Sequence, residues 1–315
     1  DAVLRARLAG VGTEAAISDL LEAVGSRLHS IEYERDDPEI PRYCVRITVD
    51  GGAVRVSYAS DGLHLVRYNI PTAERYTVLL SVDTIPVPVS KTFVVNPGPA
   101  VASSSTARGV GLQSATAGQE ASFAVYATDL YGNVRDTPSG VWSMAMSVSV
   151  GGGAASCEAG KVSAVPADQY SLTWSDSTKR YEGRYTVVNA GVLSIGVNLA
   201  GVGGGSVRDS PFSAVVVAAE THAESCLVTG TAIVGTVLGV DGVINIKARD
   251  KFGNVRTSGG DPFRLSIEAL GLASTTVSPP PILLVDKKDG TYTVTYKPVV
   301  AANYLVEIAL RGVAV

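Results

Sequence analysis

The stretch A-T-D-L-Y-G-N-V-R at residues 127–135 recurs 121 residues later as A-R-D-K-F-G-N-V-R at residues 248–256. Six of the nine positions are identical, and the exchange of Tyr131 for Phe252 keeps an aromatic ring. A repeat of this length has the period of a whole domain rather than that of a solenoid turn. The chain is therefore predicted to contain tandem copies of one domain.

A second motif repeats with the first and has the pattern of a β-strand. It is D-G-L-H-L-V-R-Y at 61–68 and D-G-T-Y-T-V-T-Y at 289–296, with a degraded middle copy, E-G-R-Y-T-V, predicted at 182–187. In the last copy Tyr292, Val294 and Tyr296 alternate with threonines. This alternation is the period of an antiparallel strand with one buried face. Several such runs, separated by turn residues, favour β-sandwiches.

Together these motifs resemble the filamin-type immunoglobulin repeat. Its members carry an A-x-D-x-x-G-N segment after strand B, a D-G-x-Y-x-V-x-Y strand E and a G-S-P-F strand G. The resemblance covers residues 92–315 well and residues 43–95 in part. It implies an all-β chain of tandem immunoglobulin-like β-sandwiches, as in filamins and in the tail region of some flagellar outer-arm dynein heavy chains. The first copy departs from the family because it lacks the G-N-x-R segment.

The repeats and a turn-rich junction at 96–99 divide the chain into four predicted segments. These are a helical segment or the end of a preceding domain at 1–30, a partial or divergent repeat at 31–97, a repeat with an insertion at 98–218, and a repeat lacking its last strand at 219–315. The short N-terminal helix is predicted because apolar residues between 17 and 28 fall at helical spacing after Thr13, a residue suited to cap a helix. It either packs on the first repeat or belongs to a preceding domain.

Charge and hydropathy exclude two classes of partner. Charged residues make up 18% of the 315 residues, the net charge is -4, and lysines and arginines are scattered. Nucleic-acid binding is not predicted, because it needs a clustered basic surface. The run at 214–219 is among the longest apolar stretches and is far shorter than the roughly 18 residues that suggest a membrane span. No membrane insertion is predicted for this segment.

The residues that carry chemistry are sparse. The three cysteines, Cys44, Cys157 and Cys226, are widely spaced and do not form a disulfide or zinc pattern. The three histidines are equally scattered, and no hydrolase, P-loop or metalloprotease motif is present. No catalytic residue, cofactor or metal is predicted, and the segment is not predicted to be an enzyme.

Two interpretations apply to Asp129 with Asn133 and to Asp250 with Asn254. Carboxylate and amide oxygens are ligands for Ca²⁺, which takes six to eight of them. The alternative is a turn, because Gly and Asn tolerate positive φ and Asp accepts hydrogen bonds from nearby backbone amides. The turn is favoured, since each copy offers few carboxylates nearby.

The resemblance implies one candidate partner site, an edge groove between strands C and D of the third repeat. Filamin-type repeats bind partners by β-augmentation, in which a peptide adds a strand beside strand C and main-chain hydrogen bonds supply affinity. In this chain strand C is predicted at 262–268 and strand D at 282–285. The candidate partner-binding residues are Phe263, Leu265, Ile267, Ile282 and Leu284. The alternative is that these apolar residues only fill the core.

These features predict a non-catalytic structural and protein-interaction segment, a spacer and docking array of a larger cytoskeletal or axonemal protein. Its partners are other proteins, bound by edge-strand β-augmentation or domain docking. Direct actin binding is not predicted, since that activity in the family comes mainly from helical calponin-homology domains, which nothing here resembles.

The predicted localisation is cytoplasmic and cytoskeletal, with the axoneme of a cilium or flagellum as the more specific setting. None of the eight asparagines begins a glycosylation sequon, and the cysteines are not paired in number. The alternative is an extracellular or cell-surface adhesion stalk built from immunoglobulin-like repeats.

Overall fold

The computed structural model describes residues 2–7, 29–32, 43–47, 54–60, 63–82, 85–86, 91–150, 162–270 and 280–315, with side-chain burial described for 69–77, 92–149, 162–270 and 280–315. Within these residues the regular structure consists of β-strands and four 3₁₀ turns of three residues each. The prediction of an all-β chain is confirmed.

The strands form three groups along the chain, here called the first, second and third units. The first unit contains β1 (Ala2–Arg7), β2 (His29–Glu32), β3 (Tyr43–Ile47), β4 (Val54–Ser60), β5 (Leu63–Tyr68), β6 (Arg75–Val82), β7 (Ile85–Pro86) and β8 (Lys91–Val94). The second contains β9 (Thr106–Arg108), β10 (Ser114–Thr116), β11 (Glu120–Tyr126), β12 (Val141–Val150), β13 (Val162–Ala164), β14 (Tyr170–Ser175), β15 (Arg180–Thr186), β16 (Gly191–Ala200), β17 (Gly205–Ser206) and β18 (Phe212–Val217). The third contains β19 (Leu227–Thr229), β20 (Gly242–Lys247), β21 (Phe263–Leu270), β22 (Ile282–Asp286), β23 (Thr291–Tyr296), β24 (Asn303–Leu310) and β25 (Val313–Ala314). The 3₁₀ turns are Val110–Leu112, Ala167–Gln169, Ala223–Ser225 and Thr231–Ile233.

The second unit is a β-sandwich of two sheets. One sheet has the strand order β10-β18-β16-β12-β13, with β17 folded back on β16, and the other has the order β14-β15-β11-β9. Neighbouring strands are antiparallel except β10 and β18, which are parallel. Alternate residues face inward, and Val125, Leu193, Ile195 and Val197 are fully buried. Burying a side chain of this size stabilises the fold by roughly 1.5–3 kcal/mol.

The third unit has the same two layers. One sheet has the order β19-β20-β23-β22 and the other the order β21-β24-β25. Its core contains Ile244, Ile246, Ile267 and Val294, which are buried at 1% exposure or less. β25 pairs with the end of β24 as β17 pairs with the end of β16. The two units are therefore two versions of one architecture.

The first unit contains the sheets β1-β5-β4 and β2-β3-β6-β7, with β8 also paired to β6. The predicted helix after Thr13 lies outside the described residues. The described parts of the 1–30 segment are strands, Ala2–Arg7 and the start of His29–Glu32, and they flank the predicted helix. β1 pairs antiparallel with β5, so its backbone groups bond in a ladder with the first unit rather than along a helix.

The strand pairing aligns the second and third units differently from the sequence motifs. Val125 of β11 pairs with Tyr181, and Ile246 of β20 pairs with Tyr292. Val125 and Ile246 are equivalent, because each lies two residues before the alanine that begins its copy of the repeated nine-residue stretch, at 127 and 248. Tyr181 therefore corresponds to Tyr292, and the predicted match of 182–187 to 289–294 is wrong by four residues.

The contacts of the two tyrosines support this alignment. Tyr181 accepts a hydrogen bond from the Ser139 amide at 3.0 Å, and Tyr292 accepts one from the Asp261 amide at 2.9 Å. The two donors lie just before β12 and β21. The motif is hidden in the sequence because Lys179, with φ of 52°, takes the turn position that Gly290 holds with φ of 81°.

Tyr185 is predicted to make the stability of the second unit depend on alkaline pH. Its hydroxyl donates to the Gly111 carbonyl, and burial raises its pKa to about 12 from the usual 10.0. The neutral phenol is therefore favoured in the folded state, and its contribution is complete below about pH 10 and lost as pH rises towards 12. The Tyr185→Phe variant should lose about 1 kcal/mol at pH 8 with the hydrogen bond and show a shallower decline between pH 10 and 12.

The readout is urea unfolding followed by tryptophan fluorescence. Both tryptophans of the chain, Trp142 and Trp174, pack against Tyr181 in the second unit, so their emission reports on that unit within the full chain. An equally steep alkaline decline in wild type and variant would contradict the assignment to Tyr185.

Candidate functional site

The candidate groove lies between two strands that end different sheets of the third unit. The strands predicted at 262–268 and 282–285 are β21 and β22. Among the described residues, β21 pairs only with β24, and β22 pairs only with β23. One edge of each strand is therefore open to an added strand in the described part of the unit.

The five predicted contact residues belong to one apolar cluster, but they differ in burial. Phe263 and Ile267 lie in the core, at 7% and 1% exposure, and the Phe263 ring packs on Tyr292 with centroids 4.8 Å apart. Leu265, Ile282 and Leu284 are half-buried against that core. Only these last three present surface that a partner strand can touch, and partner contact by the five residues stays a prediction.

The second unit shows how such an edge is covered. Its strand β12, the equivalent of β21, pairs on one side with β16 and on the other with β13. The added ladder is short and joins Ser147 to Ala164 and Ser149 to Val162. A three-residue strand of the chain itself therefore adds to this edge of the sandwich.

The repeated loops are turns built around a buried carboxylate. Asp250 has no exposed surface, and Asp129 is 3% exposed. Asp250 accepts four hydrogen bonds, from the amides of Phe252, Asn254 and Ala219 at 2.9 Å each and from the Asn254 side chain at 2.8 Å. Asp129 accepts the same four from the amides of Tyr131, Asn133 and Gly98 and from the Asn133 side chain.

This arrangement favours the turn interpretation over a calcium site. Two N–H donors point at each carboxylate oxygen, in the directions from which a cation would have to be bound. Burial raises the pKa of Asp129, but the hydrogen bonds from Asn133, Gly98 and Tyr131 outweigh it, so the pKa lies below its usual value. The carboxylate is therefore held in its charged form by N–H groups.

The asparagines of the repeated loops also reach the preceding unit. The Asn254 side chain accepts a hydrogen bond from the Ala190 amide at 2.9 Å and donates to the Val188 carbonyl at 2.7 Å. Asn133 makes the same pair of bonds, from the Ala73 amide at 2.9 Å and to the Pro71 carbonyl at 2.7 Å. Each asparagine thus joins its own aspartate to the unit before it.

The arginines of the same loops hold the linkers between units. Arg256 donates to the Ala219 carbonyl at 2.8 Å, while the Ala219 amide donates to Asp250. Arg135 and Asp129 hold Gly98 in the same way. One linker residue at each junction is therefore bound at both its N–H and its C=O group.

This role of the loops was not predicted from the sequence. A turn explains Asp, Gly and Asn in the motif, but it does not require the arginine that recurs at 135 and 256. The repeated arginine, which a turn alone does not explain, is the sequence feature that points to a further role of the loop. The partners lie 60 or more positions earlier in the chain, and no local pattern identifies them.

Cys226 is the cysteine whose side chain the structure describes. Burial raises the pKa of the Cys226 thiol, and its Sγ donates to the His222 carbonyl at 3.3 Å. A thiol in this setting is less reactive, because the thiolate is the nucleophile. Across the residues with described side chains, no three His, Cys, Asp or Glu residues come together as a metal site. Within the same residues, no helix has the length and apolar character needed to cross a membrane. Cys157 lies outside the described residues.

Comparison with known proteins gives one family match. The model described as Filamin/ABP280 repeat matches residues 99–213 and 220–315. Among solved structures, the Escherichia coli adhesin FdeC is 14% identical, with 91% of this chain and 93% of that chain covered and a TM-score of 0.48. Invasin, a bacterial integrin-binding protein, is 14% identical over 92% of this chain and 58% of its own, with a TM-score of 0.44. The Lin-41 filamin domain is 14% identical over 31% of this chain and 88% of its own, with a TM-score of 0.27.

Proposed function

Because this chain belongs to the filamin/ABP280 repeat family, we propose that it is a non-catalytic spacer and docking array within a larger protein. Repeats of this family are structural and interaction domains. The observation that carries the proposal is the pair of junctions, in which each repeated loop binds the unit and the linker before it. Units joined in this way keep a defined spacing and leave their strand edges free for partners.

We further propose that partners bind the third unit by adding a strand to the edge of β21 that has no partner strand among the described residues. Leu265, Ile282 and Leu284 provide half-buried apolar surface beside that edge, on which alternate side chains of a partner strand can pack. The short strand β13 on the equivalent edge of the second unit is an intramolecular example of the same addition.

The test of this groove is a double variant, Leu265→Glu with Leu284→Glu, in the full chain. Two charges beside the β21 edge should weaken partner binding about tenfold or more, since burying an unpaired charge costs several kcal/mol. Binding is measured by quantitative pull-down, and the bound partners should slow amide exchange in β21. The matched control is Leu283→Glu on the outer face of β22, where the side chain is 61% exposed.

The double variant must keep its fold, which circular dichroism and melting establish. Partners that stay bound to the folded double variant as tightly as to wild type would overturn the groove. The spacer function would be untouched by that result.

For the parent protein we propose the cytoskeletal setting, with the axoneme as its more specific form. The support is in the sequence, which contains no glycosylation sequon and an odd number of cysteines. Fractionation and imaging of the tagged full-length protein should place it with the cytoskeleton. Recovery at the cell surface would favour the adhesion stalk instead.

A further inference from the structure

The two junctions share a surface that receives the following unit, and its polar part is a carbonyl and an amide two residues apart. In the loop between β15 and β16 these are Val188 and Ala190, which bind Asn254. They lie three and five residues after Tyr185, near the end of β15. In the third unit, Tyr296 at the end of β23 is the equivalent of Tyr185. The residues three and five positions after it are Val299 and Ala301.

In the part of the chain that the structure describes, the equivalent carbonyl and amide of the third unit have no asparagine bound to them, whereas those of the first and second units bind Asn133 and Asn254. Val299 and Ala301 are exposed, whereas Val188 and Ala190 are half-buried. Neither the Val299 carbonyl nor the Ala301 amide has a backbone partner among the described residues. The donor and acceptor that bind an asparagine in the second unit are therefore open to solvent in the third.

The apolar part of the surface is a glycine with positive φ. The ring of Phe252 lies over Gly118, so close that a Cβ there would be 2.4 Å from its Cζ. Gly239 is the equivalent residue of the third unit. Its φ is 75° against 72° for Gly118, and its amide donates to the Pro298 carbonyl as that of Gly118 donates to the Val187 carbonyl. A Cβ on Gly239 would meet nothing within 4 Å.

The loop of the third unit already has the shape found at a junction. Tyr304 donates to the Val300 carbonyl at 2.8 Å, and Tyr76 donates to the Thr72 carbonyl at 3.0 Å in the first unit. Thr72 lies between the two groups that bind Asn133, as Val300 lies between Val299 and Ala301. The same tyrosine hydrogen bond thus fixes the loop of the first unit, which binds Asn133, and the loop of the third unit, which binds none of the described asparagines.

We propose that Val299, Ala301 and Gly239 form a docking surface for one kind of partner, a further immunoglobulin-like unit that carries a D-x-[FY]-G-N-x-R loop. Its asparagine binds the Val299 carbonyl and the Ala301 amide, and its aromatic ring covers Gly239. This deepens the proposed spacer function and rests on it, because it names the contact by which the array is extended.

The first experiment tests recognition in the chain itself. Asn254→Ala should make the Ala190 amide exchange with deuterium about tenfold faster or more, since it removes that amide's acceptor. Asn245→Ala is the matched control, because this asparagine is exposed on β20 of the same unit. Unchanged exchange at Ala190 in Asn254→Ala would overturn the role of the asparagine.

The second experiment supplies the partner. A lengthened chain repeats residues 208–315 directly after Val315, because Val315 follows β25 as Val207 follows β17. The Val315 amide donates to the Ile308 carbonyl as the Val207 amide donates to the Val197 carbonyl. The Ala301 amide should exchange about tenfold more slowly than in the original chain, and replacing the asparagine of the added loop by alanine should abolish the slowing. Equal exchange of Ala301 in the original and the lengthened chain, with the added unit folded, would overturn the docking surface. The contacts at Ala190 and partner binding at β21 are measured separately, so the spacer function can survive that failure.

Discussion

Gly183→Ala should destabilise the second unit by about 3 kcal/mol, although it adds a single carbon atom. Gly183 is buried in β15 opposite Phe123 of β11, and a Cβ at this position would lie 2.4 to 2.7 Å from three atoms of the Phe123 ring. The ring is rigid and itself buried at 4% exposure, so it has no free space to move into. Overpacking of a well-packed core costs typically 1–3 kcal/mol. Tryptophan fluorescence during urea unfolding measures the loss in the full chain.

The third unit supplies the rescue for this variant. Its equivalent pair is Ile244 and Val294. Ile244 is smaller than Phe123, and Val294 is larger than Gly183. Phe123→Ile combined with Gly183→Val should therefore be more stable than the sum of the two single effects predicts, by about 1–3 kcal/mol of coupling.

The control for Gly183→Ala is Gly196→Ala in β16. There a Cβ would have no neighbour closer than 3.5 Å, which is ordinary contact, so this variant should be close to neutral. Equal destabilisation at both glycines would show that backbone effects, and not the Phe123 ring, set the cost.

The strands of this fold could be predicted from the sequence, because alternation in β23 or β24 is a local property of neighbouring residues. The register of the middle copy could not. Gly183 is small because Phe123 is large, and that compensation between two strands is visible only once they are paired. In the sequence, Glu182 and Gly183 resemble the D-G pair of the strand motif and so suggest the wrong alignment. The true equivalent of Gly290 is Lys179, which does not look like a turn glycine.

The candidate groove was predicted at the level of strands but not at the level of accessible side chains. A period of two places Phe263, Leu265 and Ile267 on one face of β21, and the structure agrees. It does not say which of them lie deep in the core and which lie near its edge. That difference depends on the packing of the facing sheet, which no pattern within β21 records.

The other large expected effect is at Asp129, where Asp129→Asn should cost about 2–4 kcal/mol. The change keeps the shape of the side chain but turns one oxygen into an NH₂ group that faces N–H donors. Hydrogen bonds to a charged group contribute about 1.5–3 kcal/mol each, and a donor left without its acceptor costs more. Because the pKa of Asp129 is lowered in the folded state, its contribution is complete above the usual value near 3.8 and is lost as pH falls below it. Wild type should thus lose more stability than the variant on acidification.

Asp136→Asn is the matched control, because this carboxylate is exposed just after the same repeated loop. It should leave the free energy of unfolding of the second unit, followed by tryptophan fluorescence, within about 0.5 kcal/mol of wild type.

The same measurement decides between the two interpretations of the loop. With Asp129 bound by four N–H donors, Ca²⁺ and a chelator should give the same unfolding curve, and the loss in Asp129→Asn should be equal in both. A Ca²⁺-dependent gain in stability that disappears in Asp129→Asn would instead make the carboxylate a cation ligand, since only a bound ion links the two.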